Sequence, residues 1–421
     1  MEKPWLTNYE PQVPPTLTYP QRPLDANLTE SARQYPNATA TIFMNAKLTY
    51  AQLNALVDRF AAALQQLGVK KGDRVGVYIA NCPQFVIGYY GALRLGAIVA
   101  PFNPLYAARE VEHQLQDSGA ETMLVMSRFY PIVQQVRAHT ALKNVIVTNI
   151  KEYFPPLLKL LFTLAKEKHE GDRQDIAGDA NTYWFQELLS KAPAQPSPVD
   201  VQPADTAVLL YTGGTTGVPK GAELSHANIM ANAVMCRHWM HDIQEAKEVA
   251  LTALPLYHSF GMTTCMNLAV FAAGAMLLIP NPRDIPTLMK NVNQHHPTLF
   301  AGVPTMYVAF NNFPDIAKYN VKSIRACISG AAGLPVEVQT KFQELTGGRL
   351  VEGYGLSEAS PVTHGNPVYG QNKIGTIGLP FPDTEAKIMD LETGTKEMPV
   401  GEIGELVVRG PQVMKGYWNM P

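Results

Sequence analysis

The chain has 421 residues, 46% apolar and 17% charged, with 34 Lys+Arg against 36 Asp+Glu and a formal net charge of -2. A chain of this length divides into about two or three domains and can bury several cores. Its charge balance excludes nucleic-acid binding through a basic face, and its apolar content excludes intrinsic disorder. The four cysteines, Cys82, Cys236, Cys265 and Cys327, make no CxxC pair, which suits reduced, buried thiols better than a disulfide or zinc framework. The first residues hold no apolar secretory core. The longest apolar run, 268–279, is shorter than the roughly 20 residues that span a membrane. A cytoplasmic protein is expected.

Residues 1–23 carry six prolines, which fix φ and remove amide donors, so an extended arm without helix or strand is predicted. Apolar positions at helical spacing from Thr49 to Leu67 predict a helix that stops at Gly68. A strand over 74–80, another helix and a buried strand over 97–101 follow. In the segment 155–168, Lys159, Thr163, Lys166 and Glu167, with Glu170 beyond, fall near one stripe and leave a broad apolar face margined by lysines. Such a helix can lie on an anionic membrane or pack as a core helix under the preceding domain, and the core position is the plainer reading. Residues 171–205 are polar and proline-rich, with Pro193, Pro196, Pro198 and Pro203, and mark an internal boundary. Beyond it, apolar strands over 207–211, 250–254, 298–301 and 324–328 alternate with helical segments over 285–294 and 336–345, the pattern of parallel sheets covered by helices. After Lys373, glycine turns and two-residue alternation over 385–389 and 405–409 predict a small antiparallel sheet or barrel. The fold class is therefore α/β, two helix-covered sheets plus a small β-barrel-like portion, with expected limits at 1–205, 206–367 and 368–421.

The strand 207–211 runs into Thr212-Gly213-Gly214-Thr215-Thr216-Gly217-Val218-Pro219-Lys220. Three glycines let the backbone approach an oxyanion, three threonines offer hydroxyls, and Lys220 brings a positive charge, a set that would hold a polyphosphate. Val218 and Pro219 between Gly217 and Lys220 exclude a Walker A loop.

The run YTGGTTGVPKG resembles the phosphate loop of the adenylate-forming superfamily, which includes acyl-CoA synthetases, luciferases and non-ribosomal peptide adenylation domains. Three further stretches match in order: PLYHSFG at 255–261, SGAAG at 329–333 and EGYGLSE at 352–358. Within that superfamily, NPRDIP at 281–286 and GPQVMKGYW at 410–418 resemble the bacterial long-chain fatty acyl-CoA synthetases. The resemblance covers almost the whole chain and implies an enzyme that joins a fatty acid to ATP and passes the acyl group to CoA.

The resemblance also implies roles. Glu358 would bind Mg²⁺, and Ser357, where threonine is usual, would donate to the α-phosphate. Tyr354 would lie against adenine, beside the backbone of Gly330, Ala331 and Ala332, with Glu352, Gly353 and Gly355 completing the nucleotide site. His258 would stand at the mouth of the acyl pocket as a positioning or gating residue, not a general base. Phe300, Gly302, Val303 and Gly353 would line the acyl tunnel. Peripheral membrane contact through 155–168 would bring the protein to free fatty acid, and a homodimer is held as an option for its assembly. His238 and His241, three apart but without an acidic or Cys partner nearby, and the pair His295-His296 at a helix end, are not taken as metal ligands. Two other readings stand beside the leading one. The first is adenylation of another acid, aromatic or medium-chain, or a fatty acyl-AMP ligase. The second is a non-catalytic nucleotide- or lipid-binding module. The chain stops at Pro421, ahead of the family's Thr-Gly-Asp segment, hinge and small C-terminal domain. It reads as the large N-terminal part of a longer enzyme and poorly active alone.

Overall fold

Continuous apolar strands such as Thr122–Met126, buried along its whole length, are stable where helices cover a parallel sheet on both faces. The computed structural model describes residues 3–212 and 219–420, and two such sheets form its body. The seven-stranded sheet runs in the order Thr182–Trp184, Asn144–Thr148, Thr122–Met126, Arg74–Tyr78, Ile98–Pro101, Thr206–Thr212, Lys220–Ser225. Only its last pair is antiparallel. The nine-stranded sheet runs Leu379–Pro380, Val362–Gly365, Arg349–Gly355, Ala326–Ser329, Leu299–Gly302, Val249–Thr252, Ala275–Leu278, Thr39–Phe43, Ala46–Thr49. It is parallel in its centre and antiparallel at both edges. Each sheet takes strands from both sides of residue 205, so the expected limit there does not separate them. Beyond them, Glu385–Met389 and Glu405–Arg409 pair antiparallel, the sheet form of the two expected for this portion.

Local chemistry explains the main elements. The helix Tyr50–Gln66 starts at Thr49, whose hydroxyl accepts from the Gln52 amide while the Gln52 side chain bonds back to Thr49, a capping box. It stops ahead of Gly68, which takes φ 87°. The proline-rich arm is not wholly extended: Pro4–Asn8 forms a short 3-10 helix, because proline at a first helical position costs no amide bond. The arm then binds the far end of the chain. Tyr9 donates to the Pro380 carbonyl at 2.6 Å, and both the Leu17 amide and the Tyr19 hydroxyl donate to Asp383. His241 does have an acidic neighbour, contrary to expectation, since Glu10 of the arm lies 2.8 Å from its Nε2.

The core reading of 155–168 is overturned. A helix forms over Pro156–Ala165, but none of its residues is buried. Glu167 lies beyond the helix, buried and paired with Lys151 at 2.6 Å, not on the expected polar stripe. No helix among the described residues is long and apolar enough to cross a membrane. The four cysteines are free and buried.

The two sheets are stitched by Asn81, which follows the strand Arg74–Tyr78 and is buried. It donates to the carbonyls of Thr252 and Leu254 at 3.0 and 2.8 Å and accepts the Leu256 amide at 2.9 Å. An unpaired buried polar group costs about 1–3 kcal/mol. Replacing Asn81 with Leu is therefore expected to lower the unfolding free energy by roughly 2 kcal/mol or more, read from urea denaturation, because the Leu254 carbonyl and Leu256 amide lose their partner while the Thr252 carbonyl keeps only the Ile279 amide.

A second test concerns acid. The buried imidazole of His226 accepts the Leu24 amide at 3.1 Å through Nδ1, and burial drives its pKa from 6.5 down to about 4. His364, also buried, falls to about 4. Both stay neutral when folded and take a proton near 6.5 when unfolded. Their contribution is complete above that pH and is lost as pH falls from about 6.5 toward about 4. A drop on the order of 3 kcal/mol per histidine is expected across that window. The substitution His226→Gln is expected to flatten its share of the slope in pH-dependent unfolding.

Candidate active site

In the nine-stranded sheet, Val249–Thr252 lies between Ala275–Leu278 and Leu299–Gly302, so strand order reverses there. Ligands of open α/β sheets bind in the crevice at such a reversal, beyond the carboxyl ends of the strands. Three of the loops noted in the sequence leave those ends. The loop after Val249–Thr252 carries His258, whose Nδ1 accepts the Phe260 amide at the start of Ser259–Gly261. The loop after Ala326–Ser329 carries Gly330, Ala331 and Ala332, with Ala331 held at φ 70°, a left-handed conformation that an alanine seldom adopts. The strand Arg349–Gly355 carries Glu352, Gly353, Tyr354 and Gly355, and a single turn, Ser357–Ala359, places Ser357 and Glu358.

One pocket of about 60 Å³ gathers His258, Gly330, Ala331, Gly353, Tyr354, Gly355 and Ser357, together with Phe260 and Ile328. Tyr354 is 38% exposed, so its ring face is free for a planar partner. His258 is open at the rim yet enclosed by protein on most sides, and that desolvation lowers its pKa from the usual histidine value. The Ser357 hydroxyl is 3.3 Å from that of Ser259, joining two of the loops. Ala332 and Glu352 stand beside this lining, and burial raises the pKa of the Glu352 carboxyl.

The phosphate side meets this pocket at Glu358. Thr212 and Lys220 are register partners in the antiparallel pair of strands. Gly213, Gly214, Thr215, Thr216 and Gly217 lie outside the described residues. The Lys220 ammonium sits 5.1 Å from the ring centroid of Tyr417, and the Tyr417 hydroxyl donates to Glu358 Oε1 at 2.7 Å. That bond is the main reason the Tyr417 pKa is pushed up to about 12. Tyr417 is brought there by backbone pairing. Segment 414–418 runs beside Lys220–Ser225, with bonds from the Glu223 amide to the Gly416 carbonyl and from the Trp418 amide to the Gly221 carbonyl, while the Met414 amide donates to the Glu358 carbonyl. Sequence reasoning missed Tyr417. Its only local signal was its place in the run at 410–418.

Among the described residues no three His, Cys, Asp or Glu side chains cluster as a metal cage. Glu358 offers one carboxylate oxygen, Oε2, with no hydrogen bond to the described residues. Mg²⁺ is commonly held by one or two carboxylates, with phosphate oxygens and water completing its shell, and Glu358 fits that demand.

Below the pocket, a second cavity of about 30 Å³ is walled by Cys236, Trp239, Met240, Phe300, Cys327, Phe381 and neighbours, all apolar, with Thr264 as its one hydroxyl. Ile328 lines both cavities. A Cβ on Gly353 would stand 2.4 Å from Ile328 Cδ1, so glycine leaves that side chain its place. Of the expected tunnel residues, Phe300 lines the lower cavity and Gly353 the upper. Gly302 and Val303 line neither: Gly302 backs onto the Tyr307 ring, and Val303 precedes the helix Pro304–Asn311.

The family model described as AMP-binding enzyme matches residues 28–418. A long-chain-fatty-acid–CoA ligase of Bacillus subtilis is 42% identical over 422 residues, covering 100% of this chain and 75% of that protein. A ligase of the same name from Escherichia coli is 37% identical over 435 residues with the same coverage. The crystal structure of a long-chain-fatty-acid–CoA ligase from Archaeoglobus fulgidus aligns with a TM-score of 0.82 at 27% identity, over 98% of this chain and 79% of that one. The matched residues take in both sheets and every loop of the pocket, and the chain belongs to the AMP-binding enzyme family.

Proposed function

We propose that this chain carries the site at which the complete protein activates a long-chain fatty acid with ATP, forming an acyl-adenylate whose acyl group is then taken by CoA. The observation that carries the reading is the meeting of Lys220 and Glu358 through Tyr417, beside a pocket that adjoins an apolar cavity. The names of the relatives from Bacillus subtilis and Escherichia coli support the choice of acid.

A free carboxylate is a poor acyl donor because its leaving group would be oxide. Its oxygen instead forms a bond to the α-phosphorus of ATP as the bond from that phosphorus to pyrophosphate breaks. The thiol of CoA then displaces AMP from the mixed anhydride. The first step brings two anions together, so the barrier falls with fixed positive charge and exact placement of the reactants. Lys220 would supply the charge to the polyphosphate, with Thr212 and the adjoining loop residues as donors. Glu358 would hold Mg²⁺, which offsets phosphate charge. Ser357 would donate to the α-phosphate, while Tyr354 and the backbone of Gly330, Ala331 and Ala332 would take the adenine. His258, at the rim of the pocket, would orient the reacting carboxylate through its ring. The apolar cavity past Ile328 receives the acyl chain, and a membrane contact through 155–168 would place the protein where free fatty acid is found.

The test is palmitate-dependent exchange of pyrophosphate into ATP by the complete protein. Lys220→Ala and Glu358→Gln are each expected to lower the exchange rate on the order of a hundredfold to a thousandfold, as loss of a single oxyanion donor does elsewhere. An aromatic acid that outperforms palmitate would replace the long-chain reading while leaving the adenylation chemistry intact.

Tyr417→Phe separates positioning from charge. It removes the hydroxyl that fixes Glu358 and keeps the ring beside Lys220. Partners of metal ligands typically contribute about 10–100-fold to affinity. The Mg²⁺ concentration for half-maximal exchange is thus expected to rise about tenfold or more, with little change in the rate at saturating Mg²⁺.

A further inference from the structure

The apolar cavity below the pocket has two unlike sides. One is the nine-stranded sheet, which supplies Phe300, Cys327, Ile328 and Val351 and is fixed by ladders of backbone hydrogen bonds. The other includes Trp239, Met240, Val368 and Phe381, none of which lies in a strand. The sheet side runs from Ile328, which also borders the pocket, back to Leu299 and Ala326, the first residues of their strands. Arg325, just ahead of Ala326, pairs with Asp242, which also accepts the Tyr369 hydroxyl at 2.6 Å. Trp239, Met240 and Val368 therefore close the end of the cavity farthest from the pocket.

That far wall is held from behind by two adjacent residues of the proline-rich arm. The Tyr9 ring meets Trp239 edge-on at 5.2 Å between centroids, while Phe381 stacks on Trp239 at 4.5 Å. The Tyr9 hydroxyl also binds the carbonyl of Pro380, the residue that leads into Phe381. Buried Glu10 accepts the Tyr369 amide at 3.0 Å through Oε1, and its Oε2 lies 2.8 Å from His241 Nε2. Tyr369 and His241 directly follow Val368 and Met240 in the chain. Tyr9 thus touches Trp239 itself, and the other three members of the wall are held through a chain neighbour. A Cβ on Gly370 would stand 2.8 Å from Glu10 Cγ, so glycine there leaves the arm its seat. Prolines at 11, 14 and 15 stiffen the segment, and Asp383 anchors it beyond them through Leu17 and Tyr19. Tyr9 itself is only half-buried, so the arm is the outer layer of this wall.

A cavity of about 30 Å³ has to widen before an acyl chain can enter. Widening it through the sheet breaks backbone hydrogen bonds, whereas moving Trp239 forfeits side-chain contacts alone. The arm decides how far that softer wall yields. We propose that Tyr9 and Glu10 are positioning residues that brace the far wall and set the longest acyl chain the site accepts. The proposal rests on the reading above that this cavity receives the chain. A methylene that the braced wall keeps out of the cavity forfeits about fourfold in binding.

The experiment measures kcat and KM for pyrophosphate exchange by the complete protein with palmitate and with eicosanoate, which is four methylenes longer. Tyr9→Ala removes the ring behind Trp239. It is expected to raise kcat/KM for eicosanoate relative to palmitate at least about tenfold, with the change falling in KM. Tyr9→Phe keeps the ring and is expected to stay near the wild-type ratio. Glu10→Gln weakens the grip on His241 and is expected to shift the ratio in the same direction by less. General loosening of the fold lowers both acids alike and leaves the ratio where it was. An unchanged ratio in a Tyr9→Ala protein with a wild-type melt would overturn the proposal, and Glu10→Gln decides by the same criterion if Tyr9→Ala does not fold. A wild type that does not use palmitate at all would overturn the acyl reading itself, so the two failures are told apart.

Discussion

A cation and a carboxylate placed next to each other on a protein surface neutralise one another, and a site proposed to receive both a polyphosphate and a divalent ion would have to avoid that. Tyr417 stands between Lys220 and Glu358 and resolves the conflict. Its ring faces the ammonium and its hydroxyl binds one oxygen of the carboxylate, so each charge is fixed without being cancelled. A cation over an exposed ring gains about 0.5–1 kcal/mol, enough to bias a side chain and too little to compete with a phosphate. Glu358 Oε2 makes no hydrogen bond with the described residues, and Glu358 sits on the turn that also carries Ser357.

That arrangement depends on pairings distant in sequence. Segment 414–418 adds to the edge of the seven-stranded sheet at Lys220–Ser225, which covers an otherwise open edge and delivers Tyr417. Glu358 arrives from the nine-stranded sheet, and Asn81 fixes the two sheets against each other by binding the segment that leads to His258. The site is thus a seam between the sheets, and the strand reversal in the nine-stranded sheet opens the crevice beside it.

Period and capping made the local elements readable. Helical spacing over 49–67 and alternation over 385–389 and 405–409 each correspond to one element, because those signals arise from neighbours in the chain. Sheet membership was not readable. Thr206–Thr212 joins the strands before residue 205, and Thr39–Phe43 joins those after it, and no local pattern encodes a partner so far along the chain. The same limit applies to helix Pro156–Ala165, where periodicity reveals an apolar face but not whether anything covers it. It applies also to Tyr417, whose partner Glu358 is 59 residues away. The motif residues of the pocket were legible for the opposite reason: they form contiguous runs that carry the family resemblance, and glycine at 353 and 355 stands where a Cβ would meet Ile328 or the Pro361 carbonyl.

The lower cavity bears on which acid such a site would favour. At about 30 Å³ it is far smaller than an acyl chain, so under the long-chain reading proposed above its walls would have to part to admit one. Its walls can part where they are least regular. Thr264 belongs to a π-helix, Met262–Asn267, a geometry less stable than an α-helix and frequent at functional sites, and residue 353, without a side chain, leaves Ile328 its place. Opening the cavity costs packing energy once, whereas each buried methylene returns about 0.8 kcal/mol. A short acid leaves that cost uncompensated and a long one exceeds it several times over. Under the long-chain reading, such a cavity would therefore discriminate against short acids without any contact that reads the chain's end.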